Sequence, residues 1–307
     1  MLITGGAGAL GSQLARRLIT KGAGVTVLDD LSSGRKDLVP DSADLIVGDV
    51  SDSFILPPLF EERQFDYIFH LAALFANANS VDHPERDLEV NGAGTLAALR
   101  QAGRIGGLKR FVFASSSCVY GQVSGAISEQ APFQPETPYG ITKTLGEMYA
   151  RYFSEHCGFP VSIVRPFNAY GPGEYPGRYR NVIPNFIAAA LRGEPLAITG
   201  DGTETRDFTF NLDVVDGMIG VATSEATIGR AYNLGSGRET PIGELVERIL
   251  AITGGRSQVR YTERRAWDRT TNRKADISAA RRDFGYRVTT SLDAGLKLTA
   301  DWLRATL

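Results

Sequence analysis

The first thirty residues restrict this chain more than any other stretch. Met1–Thr4 is a short apolar run that passes straight into Gly5-Gly6-Ala7-Gly8-Ala9-Leu10-Gly11. Beyond it Leu10, Leu14, Leu18 and Ile19 recur at helical spacing as far as Gly22, and Val25–Leu28 is a second apolar run closed by Asp29. The order is strand, glycine turn, helix, strand, terminal acid. Glycines spaced Gly-x-x-Gly-x-x-Gly allow a tight turn and close backbone approach. The helix that follows turns free amides and the positive end of its dipole towards an anion such as a pyrophosphate. A carboxylate at the end of the second strand can accept both hydroxyls of an adenosine ribose and would repel a 2′-phosphate. Gly5, Gly8, Gly11 and Asp29 therefore predict a site for NAD rather than NADP.

The rest of the first half continues the alternation. Strands are expected at Leu45–Val47, Tyr67–His70 and Arg110–Ala114, with a helix over Pro84–Arg104. Buried strands alternating with helices predict an α/β fold with a doubly wound parallel sheet, whose ligands bind beyond the strand C-termini. Asp49-Val50, His70-Leu71-Ala72-Ala73 and Ser115-Ser116-Ser117-Cys118 all fall there. Small side chains at Ala72 and Ala73 would let a cofactor lie against the backbone. Val161–Val164 is another strand, and a Pro- and Gly-rich run through Gly177 marks a border. Asn181–Arg192 reads as a helix, Leu196–Thr199 as a strand, and Pro241–Thr253 and Ser291–Leu303 as amphipathic helices. The expected division is a cofactor domain over 1–165, with 207–235 returning to it. Residues 166–206 and 236–307 then form a smaller C-terminal α/β substrate-binding region.

Tyr139-Gly-Ile-Thr-Lys143 opens a helix expected over Tyr139–His156, and one turn puts both side chains on one face. A phenol has a pKa of about 10. A neighbouring ammonium, or a cationic ring bound beside it, stabilises the phenolate and lets the pair move protons near neutral pH. The 33 basic and 35 acidic residues nearly cancel, which argues against a broad nucleic-acid or polybasic membrane surface. Cys118 and Cys157 are the only cysteines and the three histidines are scattered, so neither a disulfide framework nor a metal site is expected. No apolar run reaches membrane-spanning length, and the expected location is the cytoplasm. No His-Asp partner accompanies the serine run, which argues against a serine hydrolase.

Taken together, these motifs resemble the extended branch of the short-chain dehydrogenase/reductase superfamily, and within it the NAD-dependent nucleotide-sugar epimerases and dehydratases. The resemblance runs from Thr4 to the C-terminal helix and implies a Rossmann-type sheet. It implies that Gly5, Gly8, Gly11 and Asp29 hold NAD, that Asp49 and Val50 flank the adenine, and that Ala72, Ala73, Asn91 and Ser115 lie by the cofactor. Tyr139 would be the catalytic base, with Lys143 lowering its pKa and binding the nicotinamide ribose. The family's catalytic hydroxyl stands three residues before a Val-Tyr-Gly, here Val119-Tyr120-Gly121, which selects Ser116. The next two positions carry Asp-Glu in the 4,6-dehydratases, and the uronate decarboxylases commonly have Glu at the second. This chain has Ser117 and Cys118, which favours plain 4-epimerisation over elimination.

In the second half the resemblance implies a nucleotide diphosphate sugar as substrate. Asn168, Arg206 and Arg265 would contact its diphosphate, and Asn181, Val182 and Thr199 would border its nucleobase. Asn272 would limit the size of its sugar, with Phe75 and Asn77-Ala78-Asn79 nearby. The helical faces Leu88–Leu99 and Leu145–Phe153 imply a homodimer. The competing expectations are a dehydratase, a decarboxylase or a ketosugar reductase on the same fold, and a dinucleotide-binding regulator without turnover.

Overall fold

A computed structural model describes all 307 residues. Seven strands form the central sheet: β1 (Leu2–Thr4), β2 (Thr26–Asp29), β3 (Asp44–Val47), β4 (Tyr67–His70), β5 (Arg110–Ala114), β6 (Val161–Pro166) and β7 (Ala231–Leu234). Their spatial order is β3-β2-β1-β4-β5-β6-β7, and every neighbouring pair is parallel. The chain runs outward from β1 in one direction and then restarts at β4 in the other, so a crevice opens above β1. Register fixes what meets there: Thr4 lies opposite both Leu28 and His70, so Gly5, Asp29 and Leu71 emerge side by side.

Strands covered by helices on both faces read as continuous apolar runs. Ile3, Leu14, Val27, Val112, Val214 and Met218 pack on one face, and Leu2, Leu28, Ile68, Leu99, Phe111 and Phe113 on the other. A third apolar cluster, including Ile183, Ile187, Leu196, Ile198, Leu245 and Leu303, lies in the second half of the chain. It joins the helices Val182–Arg192, Ile242–Thr253 and Leu292–Thr306.

Within 207–235, expected to return to the cofactor domain, the sequence pattern marks neither the helix nor the strand that form, and it misses a second return farther on. Helix Asn211–Thr223 packs on helix Ala9–Thr20, tied at the surface by Arg17 and Asp216 at 2.8 Å. From it the chain re-enters the sheet as β7. Residues 274–288 also return: Lys274–Ala275 pairs with Ala126–Ile127, and Ala275, Ile277, Ala280 and Tyr286 bury in the first cluster.

The single helix expected over Pro84–Arg104 is broken into three. An α-turn at Pro84–Asp87 and a helix at Thr95–Ala102 flank a wider π-helical segment, Leu88–Gly94. Gly92 and Gly94 weaken the α-helix there, and Gly94 is needed bare because a Cβ would lie 2.9 Å from a Val50 methyl. Such widened turns often mark functional sites.

Candidate active site

A cleft of about 770 Å³ runs from the C-terminal ends of β1, β2 and β4 to the third apolar cluster. Its cofactor end is made largely of backbone. Gly5 leaves β1 at a φ of +72°, and a Cβ on it would lie 2.6 Å from the Ala72 amide nitrogen. A Cβ on Gly11 would fall 2.2 Å from the Gly5 carbonyl oxygen. Both glycines thus serve the chain's own close packing. A Cβ on Gly8 would meet only that same carbonyl, at 3.3 Å, so its open side belongs to the cleft. Helix Ala9–Thr20 has no side-chain cap and no acid in its first turn. Its first amides are free for an anion.

Asp29 is buried and accepts the Ala7 amide on Oδ2 and the Leu31 amide on Oδ1, each at 2.9 Å. Burial raises its pKa, against the pull of those two bonds. Asp49 and Val50 line the cleft beside Asp30. Partial burial would raise the Asp49 pKa, but Ser51 and the Arg86 guanidinium together hold it below the usual carboxylate value. Arg86 pairs with Asp49 and Glu89 and comes within 3.9 Å of Asp30. No sequence signal singled it out. Ala72 and Ala73 also line the cleft.

Asn91 is 1% exposed and does not line the cleft. Its Oδ1 accepts from the Leu74 amide at 2.8 Å and its Nδ2 donates to Asp87 at 2.8 Å. It braces the loop that lines the cleft. His70 is fully buried between the Thr4 and Thr95 hydroxyls, at 2.8 and 3.0 Å, and burial pushes its pKa down to about 3. It is a neutral structural residue.

The helix bearing the tyrosine spans Pro138–Cys157. Thr137 caps it, accepting the Gly140 amide at 3.3 Å while donating to Asn77 Oδ1 at 2.8 Å, and Pro138 suits the first turn. A buried network docks the helix on the sheet. Arg165 forks onto Glu147 through Nε at 2.8 Å and Nη2 at 2.6 Å, and the Ser115 hydroxyl donates to the same carboxylate at 2.5 Å. The Ser115 hydroxyl is thereby committed to the scaffold.

One turn before Glu147, Lys143 is 3% exposed and donates to the Ala114 carbonyl at 2.8 Å. Its Nζ lies 5.7 Å from the centre of the Tyr139 ring. Burial pushes the ammonium down to about 8, partly opposed by Asp87, Cys118 and Glu147. Tyr139 is 7% exposed. Burial, then the nearby Cys118, raise its phenol above the ordinary value, while a hydrogen bond with Ser116 pulls it back. The lowering expected from Lys143 is not found: of the groups around the phenol only Ser116 pulls it down, and loss of solvent dominates. Phe75 stands edge-on to the Tyr139 ring at 6.2 Å.

Asn168, Asn181, Val182, Thr199, Arg206 and Arg265 all line the far end. Asn168 holds a φ of +28°, and its buried Oδ1 has no partner. A non-glycine residue there is uncommon, although Asn tolerates the region best. Arg206 pairs with Asp268 at 3.6 Å, while Arg264 faces Glu204 at 3.7 Å. Arg265 is exposed at the rim, its guanidinium 5.5 Å from the Trp267 ring centre. Glu174, absent from the sequence reading, is 5% exposed and accepts the Asn181 amide at 3.2 Å. Asn272 is exposed and lies outside the cleft; its neighbour Arg273 is the buried, cleft-lining residue. In an extended segment adjacent side chains point to opposite sides, so an offset of one residue exchanges outside for inside.

The residues present fit a dinucleotide: a backbone cradle, free helix amides, a carboxylate at the end of β2 and a Tyr-Lys pair beyond it. The model of the NAD dependent epimerase/dehydratase family matches residues 1–235. A UDP-glucose 4-epimerase from Mycolicibacterium smegmatis is 35% identical over 310 residues, covering 99% of this chain and 98% of the relative. A UDP-N-acetyl-alpha-D-glucosaminuronate decarboxylase from Bacillus cytotoxicus is 34% identical over 317 residues, covering 99% and 97%. Among solved structures, an epimerase from the thermophilic methanogen Methanothermobacter thermautotrophicus superposes with a TM-score of 0.96 and 44% identity, over 99% of this chain and 92% of that one. No helix of the chain is long and apolar enough to cross a membrane. The chain belongs to the NAD dependent epimerase/dehydratase family, whose cofactor is NAD.

Proposed function

We propose that this protein is a nucleotide-sugar 4-epimerase that inverts C4 of a UDP- or dTDP-linked hexose or uronate through a transient 4-keto sugar. One observation carries the choice among the family's activities. The groups gathered round Tyr139 are Ser116, Cys118, Phe75 and Lys143, with no carboxyl among them that faces the cleft. Elimination of water needs an acid and a base beside the sugar, whereas moving a hydride off C4 and back needs only one proton-handling group. Ser117 and Cys118 stand where the dehydratase pair would be.

Bound NAD supplies the hydride acceptor and returns the hydride. In this reading Tyr139 takes the proton of the 4-hydroxyl and later gives it back, while Ser116 hydrogen-bonds the reacting oxygen. The phenol, raised by burial, works as a base only when positive charge accumulates beside it. Lys143 brings one positive charge to it, and bound NAD would add to that charge. Asn168, Arg206 and Arg265 hold the diphosphate, for which a planar guanidinium fork is well shaped. Asn181, Val182 and Thr199 border the base. The relatives include both an epimerase and a decarboxylase, so the family alone does not select the reaction.

Purified protein given UDP-glucose, UDP-galactose, their N-acetyl and uronate forms and dTDP-glucose, with products followed by NMR, tests the reading. C4 inversion without added NAD is expected. A 4-keto-6-deoxy or pentose product in its place, or stoichiometric consumption of NADH, would overturn it.

The protein is further proposed to be a cytoplasmic homodimer. Ile141, Met148 and Tyr152 form an exposed stripe on the tyrosine helix, each more than half exposed, and Leu88, 54% exposed, belongs to the π-helical segment that packs on that helix. Leu99 is fully buried within the chain and takes no part. A monomer at micromolar concentration in a native mass measurement would remove this proposal.

A further inference from the structure

One buried arginine of the cleft has no counter-charge within salt-bridge reach. Arg273 is 7% exposed and lines the cleft. Its guanidinium meets only neutral acceptors: Nη1 donates to Ser117 Oγ at 3.4 Å and Cys118 Sγ at 3.5 Å, and Nη2 to the Gly121 carbonyl at 3.3 Å and Thr270 Oγ1 at 3.1 Å. Its buried Nε has no partner. Glu136, a carboxylate next to this set, is exposed and accepts only from Thr270, at 3.2 Å. Four other arginines of the cleft are answered, Arg206 by Asp268, Arg264 by Glu204, Arg86 by Asp49 and Arg178 by Asp82, and the two that are not, Arg180 and Arg265, are open to solvent, Arg180 in part. The two most buried arginines, Arg165 and Arg110, also face Glu147 and Glu225. Burying a guanidinium among neutral acceptors is unfavourable unless an anion joins it.

The position of Arg273 says which part of a ligand would supply that anion. Ser117 and Cys118 directly follow Ser116, the hydroxyl at Tyr139, and Asn77 donates to the same Cys118 sulfur at 3.6 Å. The guanidinium therefore borders the reacting end of the cleft. A planar fork of N–H donors matches a carboxylate better than any neutral hydroxyl.

We propose that Arg273, with Ser117 and Asn77, forms a subsite for a carboxylate carried by the sugar of the substrate. The proposal rests on the nucleotide-sugar reading above. The rival is that Arg273 is a third ligand of the diphosphate, since Arg206 lies close enough to be affected by its charge.

Calorimetric titration of the NAD-loaded protein with UDP, UDP-glucose, UDP-glucuronate and UDP-N-acetylmuramate separates these. The carboxylate sugars are expected to bind roughly 10-fold or more tightly than UDP-glucose, the range of a charge-assisted hydrogen-bond pair. Preference for glucuronate places the carboxylate on C5 of the ring, and preference for muramate places it on the ether side chain. Arg273→Gln is expected to erase the preference and Arg273→Lys to keep part of it, with NAD content and a thermal melt reporting that each variant is folded. Equal affinity of the wild type for UDP-glucose and both acids overturns the subsite. So does a parallel loss of UDP, UDP-glucose and UDP-glucuronate in Arg273→Gln, which would make it a diphosphate ligand. Product analysis is separate: a pentose formed from tightly bound uronate overturns the epimerase reading and leaves the subsite standing. Inversion of UDP-glucose with no preference for the acids does the reverse.

Discussion

The two ends of the cleft are built from different materials. At the cofactor end the shape comes from backbone: Gly5 abuts Ala72, Gly11 abuts Gly5, and the helix amides are left bare. At the sugar end it comes from side chains brought from distant segments, with Arg273 reaching Ser117 across 156 positions and Asn77 reaching Cys118 across 41. A backbone cradle is set by a local pattern and tolerates only glycine. A wall of side chains can be changed one residue at a time without disturbing the sheet. The first kind suits a cofactor common to a family, and the second a substrate that differs among its members.

Tyr139 stands where the two constructions meet, and removing its hydroxyl should have the largest effect. Tyr139→Phe is expected to lower turnover by roughly 10³-fold or more, the range for loss of a general acid–base group. NAD content, read from the absorbance of cofactor released on denaturation, should stay near that of the wild type. Loss of NAD together with activity would break the comparison, because the cofactor end would then depend on the phenol.

Next in size is the support beneath both ends. Glu147 and Arg165 are buried together, and Ser115 donates into the pair. Glu147→Leu leaves a guanidinium without its partner in the core, a change that costs about 3–5 kcal/mol. Urea unfolding should show that loss, with activity and NAD content falling in step. A stable variant that had lost only activity would mean that the pair serves the sugar end alone.

A paired test then asks whether the ends differ as described. Gly11→Ala forces a methyl against the Gly5 carbonyl, where a Cβ would lie 2.2 Å away. Overpacking of this kind costs about 1–3 kcal/mol, and NAD content should drop. Thr199→Ala, at the proposed base, should leave NAD content unchanged and weaken UDP binding only slightly. The reverse pattern would assign the two ends wrongly.

This contrast also explains what could be read from the sequence. The segments 67–70 and 110–114 are strands within the bounds the apolar runs predict, and the tyrosine helix differs from expectation by one residue at each end. Buried parallel strands and an amphipathic helix leave a local signature. Within 207–235, the segment expected to return to the cofactor domain, no apolar run marks β7 itself, because its place beside β6 is decided by packing across 65 residues or more. The glycine turn and the acid that closes β2 are legible because glycine spacing and a strand-end acid are short-range signals. Asn91 was placed near the cofactor, but it supports the Leu74 loop from behind. Arg86, Glu174 and Arg273 carry no local signal: each matters only through what it meets in the folded chain. At Asn272 the expected side chain lies outside the cleft and its neighbour Arg273 lines it, since nothing local fixes the register of an isolated extended segment.

An effect on stability alone, confined to one pH range, concerns Glu174, a side chain of the substrate end that holds a charge at some cost. Burial raises its carboxyl from the ordinary 4.5 to about 7, although the Asn181 amide and side chain and the Arg180 charge pull the other way. Between pH 4.5 and 7 the folded chain therefore binds a proton that the unfolded chain has released. Its contribution to stability is fully present below pH 4.5 and is lost as pH rises through 7. By linkage the full swing is at most about 3 kcal/mol. Glu174→Gln removes the titration, so at pH 8 the variant should be more stable than the wild type by up to that amount, and near pH 4.5 the two should converge. Urea unfolding of both proteins at pH 5 and pH 8 measures it. A stability difference that does not change with pH would mean that Glu174 keeps its charge throughout, held by a cation this geometry does not supply, and the substrate end would then be better compensated than the cofactor end.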